Sequence, residues 1–295
     1  MVAAGFMKDA FVQSQPVQIQ HHLWLNKRMG ERSGVFAVIE VRNLQKVFHS
    51  GMLHVTTTKA VDDVSFSIQT GKTLGLAGMS GSGKSTIARI LMRLIPCDSG
   101  VVLLDGQNVL DLKGTELKEY RKKVQMIFQN PTTSLNPSKK LSTSMVEPLQ
   151  IHGIGDTQSR AAMAVEKFHL VGLDESLLMR YPHQISGGEA QRTMIARTLM
   201  LQPSVLILDE PTSMLDVSIQ AQILTLLKQL QQELNMTYLM ISHDFGVLSH
   251  FCDDIAVMNQ GRIIEYGSCD QVMTAPSAQY TAKLIGSYRD SRIWQ

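Results

Sequence analysis

A glycine-rich segment of the chain carries a lysine and two hydroxyl side chains at a spacing suited to holding phosphate. Residues 78–86 read Gly-Met-Ser-Gly-Ser-Gly-Lys-Ser-Thr, which matches the pattern G-x-x-x-x-G-K-[ST]. Glycines let the backbone curl so that successive N–H groups point at phosphate oxygens, and a helix that starts in the loop adds its own free N–H groups. We call this segment the phosphate loop. The residues expected to contact a nucleotide are Gly78, Ser80, Gly81, Ser82, Gly83, Lys84, Ser85 and Thr86.

Three side chains of the phosphate loop have separate expected roles. Lys84 is expected to reach the β- and γ-phosphates, the Ser85 hydroxyl to bind Mg²⁺, and Thr86 to contact the α-phosphate. The alternative is a glycine-rich surface turn with an accidental lysine. The flanking sequence argues against that alternative, because the apolar stretch Thr73–Ala77 predicts a strand before the loop and a helix with one apolar stripe follows it. The predicted stripe is Ile87, Ile90, Leu91, Leu94 and Ile95.

A second group of chemically active residues follows an apolar strand. Residues 205–208 read Val-Leu-Ile-Leu and lead directly into Asp209 and Glu210. Open α/β sheets bind ligands beyond the carboxyl ends of their strands. We therefore expect Asp209 to bind Mg²⁺, through water, and Glu210 to act as the general base on the attacking water. The alternative is the solvated start of a loop, and the phosphate loop nearby in the fold argues against it.

The segment Ile185-Ser186-Gly187-Gly188-Glu189 lies between these two motifs and resembles the signature of the ABC ATPase family, usually written LSGGQ. The resemblance implies that Ser186, Gly187 and Gly188 contact the γ-phosphate of ATP held by a second ABC ATPase subunit, identical or paralogous, in a head-to-tail dimer. Glu189 departs from the usual glutamine. A carboxylate near a triphosphate is expected to weaken binding unless it faces the ribose or the base.

Other residues match the same family by position. Gln129 resembles the glutamine that touches Mg²⁺ and the reactive water and couples the helical subdomain to the core, and His243 resembles the histidine that contacts the γ-phosphate. Residues 213–216 resemble the segment of the family called the D-loop, which lies across the dimer. Phe48 stands where the family places an aromatic residue that stacks on adenine. The alternatives are core packing for Phe48 and a buried structural role for His243.

The order of patterns predicts an α/β fold, which the resemblance specifies as a P-loop NTPase (ABC ATPase) core with a mixed sheet, an antiparallel β layer and an inserted helical subdomain. Alternating residues 38–42 and 64–68 are expected to pair as antiparallel strands, and residues 255–265 to form a hairpin. We expect a flexible N-terminal extension at 1–36, with Met29 as an alternative start. The ABC ATPase domain is expected at 37–270, with its helical subdomain at about 113–190, and a C-terminal segment at 271–295.

The bulk composition restricts the partners. Lysine and arginine number 28 against 26 acidic residues, a net charge of +2, which argues against a broad nucleic-acid interface. Cys97, Cys252 and Cys269 are far apart and form no C-x-x-C pair, so we expect a reducing compartment and neither disulfides nor a zinc site. No apolar run approaches the ~18 residues of a membrane span, so any membrane-spanning part must belong to another chain.

Finer features resemble the branch of the family that imports oligopeptides, dipeptides and nickel. They are Asn130-Pro131, Ser134 to Pro137, Glu147-Pro148-Leu149, and Tyr280-Thr281 where the branch has His-Pro-Tyr-Thr. The resemblance implies membrane-spanning permease subunits, an indirect link to a solute-binding protein, and a peripheral position on the cytoplasmic face of the inner membrane. The alternative is a soluble ABC ATPase in a cytoplasmic complex, but the long coiled-coil insertions and second cassettes of such proteins are missing from the pattern.

Overall fold

The computed structural model describes residues 37–50, 56–129 and 134–292, and the structural statements below concern this part of the chain. The predicted flexible extension at residues 1–36 lies outside it, as do Asn130-Pro131 and the last three residues. Within the described residues, no helix combines the length and the apolar character that crossing a membrane requires.

The described chain alternates strands with helices after an initial pair of long strands. The strands are β1 (Ala37–Ser50), β2 (Thr56–Gln69), β3 (Thr73–Ala77), β4 (Ser99–Leu104), β5 (Gln107–Asn108), β6 (Val124–Ile127), β7 (Val205–Asp209), β8 (Thr237–Ser242), β9 (Asp254–Asn259) and β10 (Arg262–Ser268). The helices are α1 (Lys84–Leu91), α2 (Gly114–Lys123), α3 (Leu141–His152), α4 (Thr157–Leu170), α5 (Gly187–Leu199), α6 (Val217–Leu234), α7 (Phe245–Phe251), α8 (Cys269–Thr274) and α9 (Gln279–Arg292).

The first strands form an antiparallel sheet in the order β2-β1-β4-β5. The predicted pairing of β1 with β2 is confirmed, with Ile39 opposite Ile68 and Val41 opposite Phe66. These four side chains are buried, because one face of the sheet packs on the core while the other faces solvent.

The second sheet has six strands in the order β10-β9-β3-β8-β7-β6. Its pairs are parallel apart from the predicted β9–β10 hairpin, so the prediction of a mixed sheet is confirmed. Alternate residues of β7 face opposite sides: Ile207 packs with α1 and the antiparallel sheet, whereas Leu206 packs with the helical part of the chain. Cover on both faces explains why β3 and β8 are buried along their whole length.

The predicted start of the helical subdomain near residue 113 is too early. β6 falls inside the predicted range, yet it is a strand of the six-stranded sheet and pairs with β7. Tyr120 of α2 is buried in the same cluster as α1. The sequence did not reveal β6 because this strand has only four residues and directly follows the charged helix α2, so the whole stretch showed a helical pattern. The helices that pack on one another here are α3, α4 and α5.

The predicted apolar stripe after the phosphate loop is interrupted at one position. Ile87, Ile90 and Leu91 are buried and Ile95 packs half-buried on the same cluster, as expected, but Leu94 is 53% exposed. α1 ends at Leu91, and Arg93 takes a left-handed backbone conformation with φ of 54°. The turn at Arg93 rotates Leu94 away from the face that the helical period assigns to it.

Candidate active site

Four neighbouring parallel strands deliver the predicted chemical groups to one edge of the sheet. In register, Ala77 of β3 lies opposite Ser242 of β8, Asp209 of β7 opposite Ile241, and Ile127 of β6 opposite Leu208. The phosphate loop follows β3, and the other groups follow the ends of β8, β7 and β6. Residues far apart in sequence therefore converge because the carboxyl ends of parallel strands share one edge.

The phosphate loop needs glycine at two tightly enclosed positions. Gly78 and Gly83 have φ of 144° and 106°, a region that side-chain-bearing residues rarely adopt. A Cβ at Gly78 would clash with the carbonyl oxygen of Met258, and one at Gly83 with the carbonyl oxygen of Ala60. The loop is therefore pressed against β2 and the end of β9, and its remaining open side is the one available to a ligand.

Lys84 places its ammonium group inside the phosphate loop. Nζ donates hydrogen bonds to the carbonyl oxygens of Gly78, at 2.7 Å, and Met79, at 2.9 Å, and the residue is 5% exposed. Burial lowers the pKa of Lys84, and the charges of Glu210 and Asp209 oppose that effect. The ammonium group of Lys84 is held by backbone carbonyls at the N-terminus of α1, and it is suited to exchange those partners for phosphate oxygens.

Ser85 and Asp209 bring two oxygen ligands together across 124 residues of sequence. The Ser85 hydroxyl donates to Oδ1 of Asp209 at 3.2 Å. Burial raises the pKa of Asp209, the Ser85 hydrogen bond lowers it, and the neighbouring charge of Glu210 raises it further. A desolvated carboxylate beside a hydroxyl is an oxygen donor set of the kind that Mg²⁺ prefers. Ser80 is exposed on the loop and Thr86 is half-buried in the first turn of α1.

Glu210 is held by two predicted site residues from different strands. Nε2 of Gln129 donates to Oε2 of Glu210 at 3.0 Å, and Nδ1 of His243 lies 2.9 Å from Oε1. An ionised carboxylate only accepts, so Nδ1 of His243 carries hydrogen in this contact. The backbone of Glu210 is left-handed, with φ of 48°, and its N–H donates to Ile241 at 3.0 Å. The backbone is therefore bent where the strand delivers the carboxylate, as is common at functional sites.

The signature lies at the start of α5, with Ser186 directly before the helix and Gly187 and Gly188 in its first turn. A Cβ added at Gly187 would meet Leu215 at 3.5 Å, and one at Gly188 would meet Ile219 of α6 at 3.0 Å. The signature therefore packs beside the predicted D-loop segment, where Met214 is 66% exposed.

Glu189 turns its carboxylate towards the start of its own helix. Oε2 accepts from the backbone N–H of Ser186 at 2.7 Å and from its hydroxyl at 2.9 Å, and the Glu189 N–H donates back to the hydroxyl. These bonds form a capping box, and the Ser186 backbone hydrogen bond is the main cause of the lowered pKa of Glu189. The carboxylate thus has a structural role at the N-terminus of α5. The expectation that its charge weakens phosphate binding did not take this role into account.

Phe48 is an exposed residue of β1 and does not belong to the core. It is 42% exposed, and Nζ of Lys46 lies 5.4 Å from the centre of its ring. Phe48 pairs with Thr58, two residues from Ala60, whose carbonyl oxygen touches the phosphate loop. Core packing is therefore the wrong alternative for Phe48, and its contact with adenine stays a prediction.

The sequence did not reveal that residues of β2, β9 and the β9–β10 turn support the phosphate loop. The Gly261 N–H donates to the carbonyl oxygen of Ser82 at 3.0 Å, and the carbonyl groups of Met258 and Ala60 bound the loop on the same side. The sequence predicted residues 259–261 only as a hairpin turn. The hairpin pattern carries no signal for this contact, because it depends on the order of strands in the sheet.

Comparison with protein families finds a match to the model described as "ABC transporter" over residues 61–213. The chain is 43% identical to the dipeptide transport ATP-binding protein DppF of Lactococcus lactis subsp. cremoris over 253 residues, which are 85% of this chain and 80% of that protein. It is 42% identical to the oligopeptide transport ATP-binding protein OppF of Streptococcus mutans over 251 residues, 85% of this chain and 81% of that protein.

Solved structures of ATP-binding cassettes share the fold. A dimeric cassette in a post-hydrolysis state, bound to ADP and Pi, superposes with a TM-score of 0.70 at 29% identity, over 78% of this chain and 98% of that one. The cbiO1 protein of Clostridium perfringens, part of the ABC transporter complex cbiONQ, superposes with a TM-score of 0.70 at 25% identity, over 87% and 97%. Together with the matched family model and the extent of the relatives' similarity, these likenesses place the chain in the family of ABC transporter ATPases.

Proposed function

We propose that this chain binds and hydrolyses ATP to energise an ABC importer of peptides. The observation that carries the proposal is the convergence of Lys84, Asp209 and Glu210 at one sheet edge, with Gln129 and His243 on either side of Glu210. The printed names of the relatives, which are transport proteins for dipeptides and oligopeptides, favour peptides over the nickel that the branch also includes.

The residues at the phosphate loop fit ATP and Mg²⁺. The buried ammonium of Lys84 and the open backbone of the loop suit the phosphates, and the exposed ring of Phe48 would stack on the adenine. Asp209 and Ser85 would hold Mg²⁺ with their oxygens, and the amide oxygen of Gln129 would join them because Nε2 donates to Glu210. When bound, the ion neutralises charge on the phosphate oxygens.

Glu210 is the group that moves a proton in this proposal. Its two oxygens are oriented by Gln129 and His243, so the carboxylate is held in one position from which it accepts a proton from water. Lys84 places positive charge where negative charge develops on the phosphate. The chain thus contributes positioning and electrostatic stabilisation, which suffice for phosphoryl transfer without a covalent intermediate.

The partners in this proposal follow from the family to which the chain belongs. Ser186, Gly187 and Gly188 would meet the ATP held by a second ABC ATPase subunit, identical or paralogous, in a head-to-tail dimer. Permease subunits would span the membrane, and a solute-binding protein would act through them. The chain would then sit peripherally on the cytoplasmic face of the inner membrane.

Replacing the proposed base tests hydrolysis separately from binding. We expect Glu210→Gln to keep ATP binding, since the amide retains the size of the carboxylate, and to reduce turnover on the order of 10²-fold or more. Phosphate release by purified protein with Mg²⁺ measures turnover, and fluorescence titration with a labelled ATP analogue measures binding. Glu233→Gln, an exposed change on α6, is the matched control. Turnover that survives Glu210→Gln at the parental rate would remove Glu210 from this role.

A further inference from the structure

An ion pair joins two strands next to the phosphate loop, and neither residue belongs to the motifs described above. Arg262, the first residue of β10, donates from Nε and from a terminal nitrogen to Oδ2 of Asp62 in β2, at 2.8 and 2.7 Å. Nζ of Lys59 lies 3.7 Å from the other oxygen of Asp62. The pair therefore ties the β9–β10 hairpin to the strand that borders the loop.

The backbone next to this ion pair leads directly to the phosphate loop. Gly261 precedes Arg262, and its N–H donates to the carbonyl oxygen of Ser82 at 3.0 Å. The carbonyl oxygen of Gly261 accepts from the backbone N–H of Asp62 at 2.8 Å. Asp62 thus holds the turn twice, once through its backbone and once through its carboxylate, while the turn holds the loop.

The direction of the Ser82–Gly83 peptide explains why this contact matters for phosphate. In a planar trans peptide the C=O and N–H groups point in opposite directions, and the described residues contain no cis peptide. With its carbonyl oxygen bonded outwards to Gly261, this peptide points the Gly83 N–H towards the inside of the loop. Fixing the Ser82 carbonyl therefore aims one of the N–H groups that a phosphate would use.

We infer that Asp62 and Arg262 are positioning residues for nucleotide binding, which act through Gly261 on the peptide between Ser82 and Gly83. The inference rests on the proposed binding of ATP at the phosphate loop. It adds two side chains, 200 positions apart in sequence, that would touch neither the nucleotide nor the metal. Their effect should appear in affinity for the nucleotide rather than in the chemical step, because Glu210 and its partners lie on other strands.

The exposure of the pair limits the size of the effect. The side chain of Arg262 is 55% exposed and that of Asp62 is 14% exposed, so water screens part of the attraction. The turn itself is a two-residue hairpin in which Gln260 and Gly261 both have positive φ, a stiff geometry that partly holds without the ion pair. We therefore expect a weakening of roughly 3- to 10-fold in nucleotide affinity when the pair is broken.

The test compares Arg262→Gln and Asp62→Asn, singly and together, with Arg42→Gln as the matched control. Arg42 is similarly exposed, at 51%, and pairs with Glu40 on β1. We expect each pair variant to raise the Kd and the KM for Mg-ATP by roughly 3- to 10-fold with kcat within about twofold of the parent. The double variant should bind Mg-ATP no more weakly than the weaker-binding single variant, because both substitutions remove the same ion pair. Arg262→Lys should recover part of the affinity, and Arg42→Gln should change neither quantity.

Several results would overturn the inference. They are an unchanged Kd in both single variants, additive losses in the double variant, or a fall in kcat equal to the rise in KM. A loss of affinity in Arg42→Gln as large as in the pair variants, at a similar fall in Tm, would also overturn it, since that would mark general destabilisation. A parent protein that fails to bind Mg-ATP would instead contradict the proposed function, so the two failures are distinguishable.

Discussion

At the edge of the sheet, burial disfavours the charged forms of Lys84 and Asp209. Burial lowers the pKa of Lys84 and raises the pKa of Asp209, although each has the other's opposite charge nearby. Holding these groups away from water therefore lowers the free energy of unfolding. Ionisable groups with shifted pKa values tend to gather where binding or catalysis needs them, which fits the proposed contacts with phosphate and metal.

Asp209→Asn should stabilise the protein at neutral pH in the absence of nucleotide and Mg²⁺. The amide keeps an oxygen for the Ser85 hydroxyl but carries no charge to desolvate. A folded pKa above the unfolded one gives stability that is present below the unfolded pKa and is lost as pH rises through the folded pKa. The gain from Asp209→Asn should therefore be full at pH 7 and smaller at pH 4, because the pKa of the parental carboxyl is raised above its ordinary value.

Differential scanning calorimetry at both pH values measures this effect. We expect a rise in Tm of roughly 2–4 °C at pH 7, the shift that about 1 kcal/mol produces in a domain of 150–250 residues. A lower Tm for Asp209→Asn at pH 7, or a difference that grows on acidification, would show that burial does not dominate at this carboxylate.

The sequence predicted which residues follow the strands better than it predicted the order of the strands in the sheet. The ends of β3 and β7 were predicted from apolar runs followed by chemically active residues. The order of β6, β7, β8 and β3 in the sheet could not be, because pairing between distant strands decides it. The position of Gln129 beside Glu210 depends on that order, and β6 itself was missed within a helical stretch.

The start of α5 shows a signal that the sequence did contain. Ser186 followed three residues later by Glu189 is the S-x-x-E pattern of a capping box, and the structure forms it. The prediction that Glu189 would disturb a phosphate considered only its charge. Its bonds to Ser186 show that the carboxylate also stabilises the helix that presents the signature.

Removing the capping side chain should destabilise this helix. We expect Glu189→Ala to lower the free energy of unfolding by about 1 kcal/mol, while Glu189→Gln, which can also close a capping box, should stay close to the parent. Chemical denaturation followed by circular dichroism at pH 7 measures both variants. Equal stability of Glu189→Ala and the parent would mean that the box contributes nothing to α5.

The phosphate loop and the signature are presented by different elements of the fold. The phosphate loop lies at the sheet edge, and the signature lies at the start of α5 against Leu215 and Ile219. The sequence predicted both segments from short motifs, the phosphate loop from its own pattern and the signature from the family resemblance. It did not predict the support given to the phosphate loop by β2 and the β9–β10 turn, because contacts such as Gly261 with Ser82 join residues without a motif of their own.

In the proposed function, Lys84 and the surrounding amides hold a triphosphate. The most direct test is the affinity of purified protein for Mg-ATP, measured by isothermal titration calorimetry for the parent, Lys84→Ala and Lys283→Ala, an exposed control on α9. Loss of a charge-assisted contact should weaken binding by roughly 10- to 100-fold in Lys84→Ala and leave Lys283→Ala unchanged. Binding of ATP by Lys84→Ala as tight as that of the parent would contradict the claim.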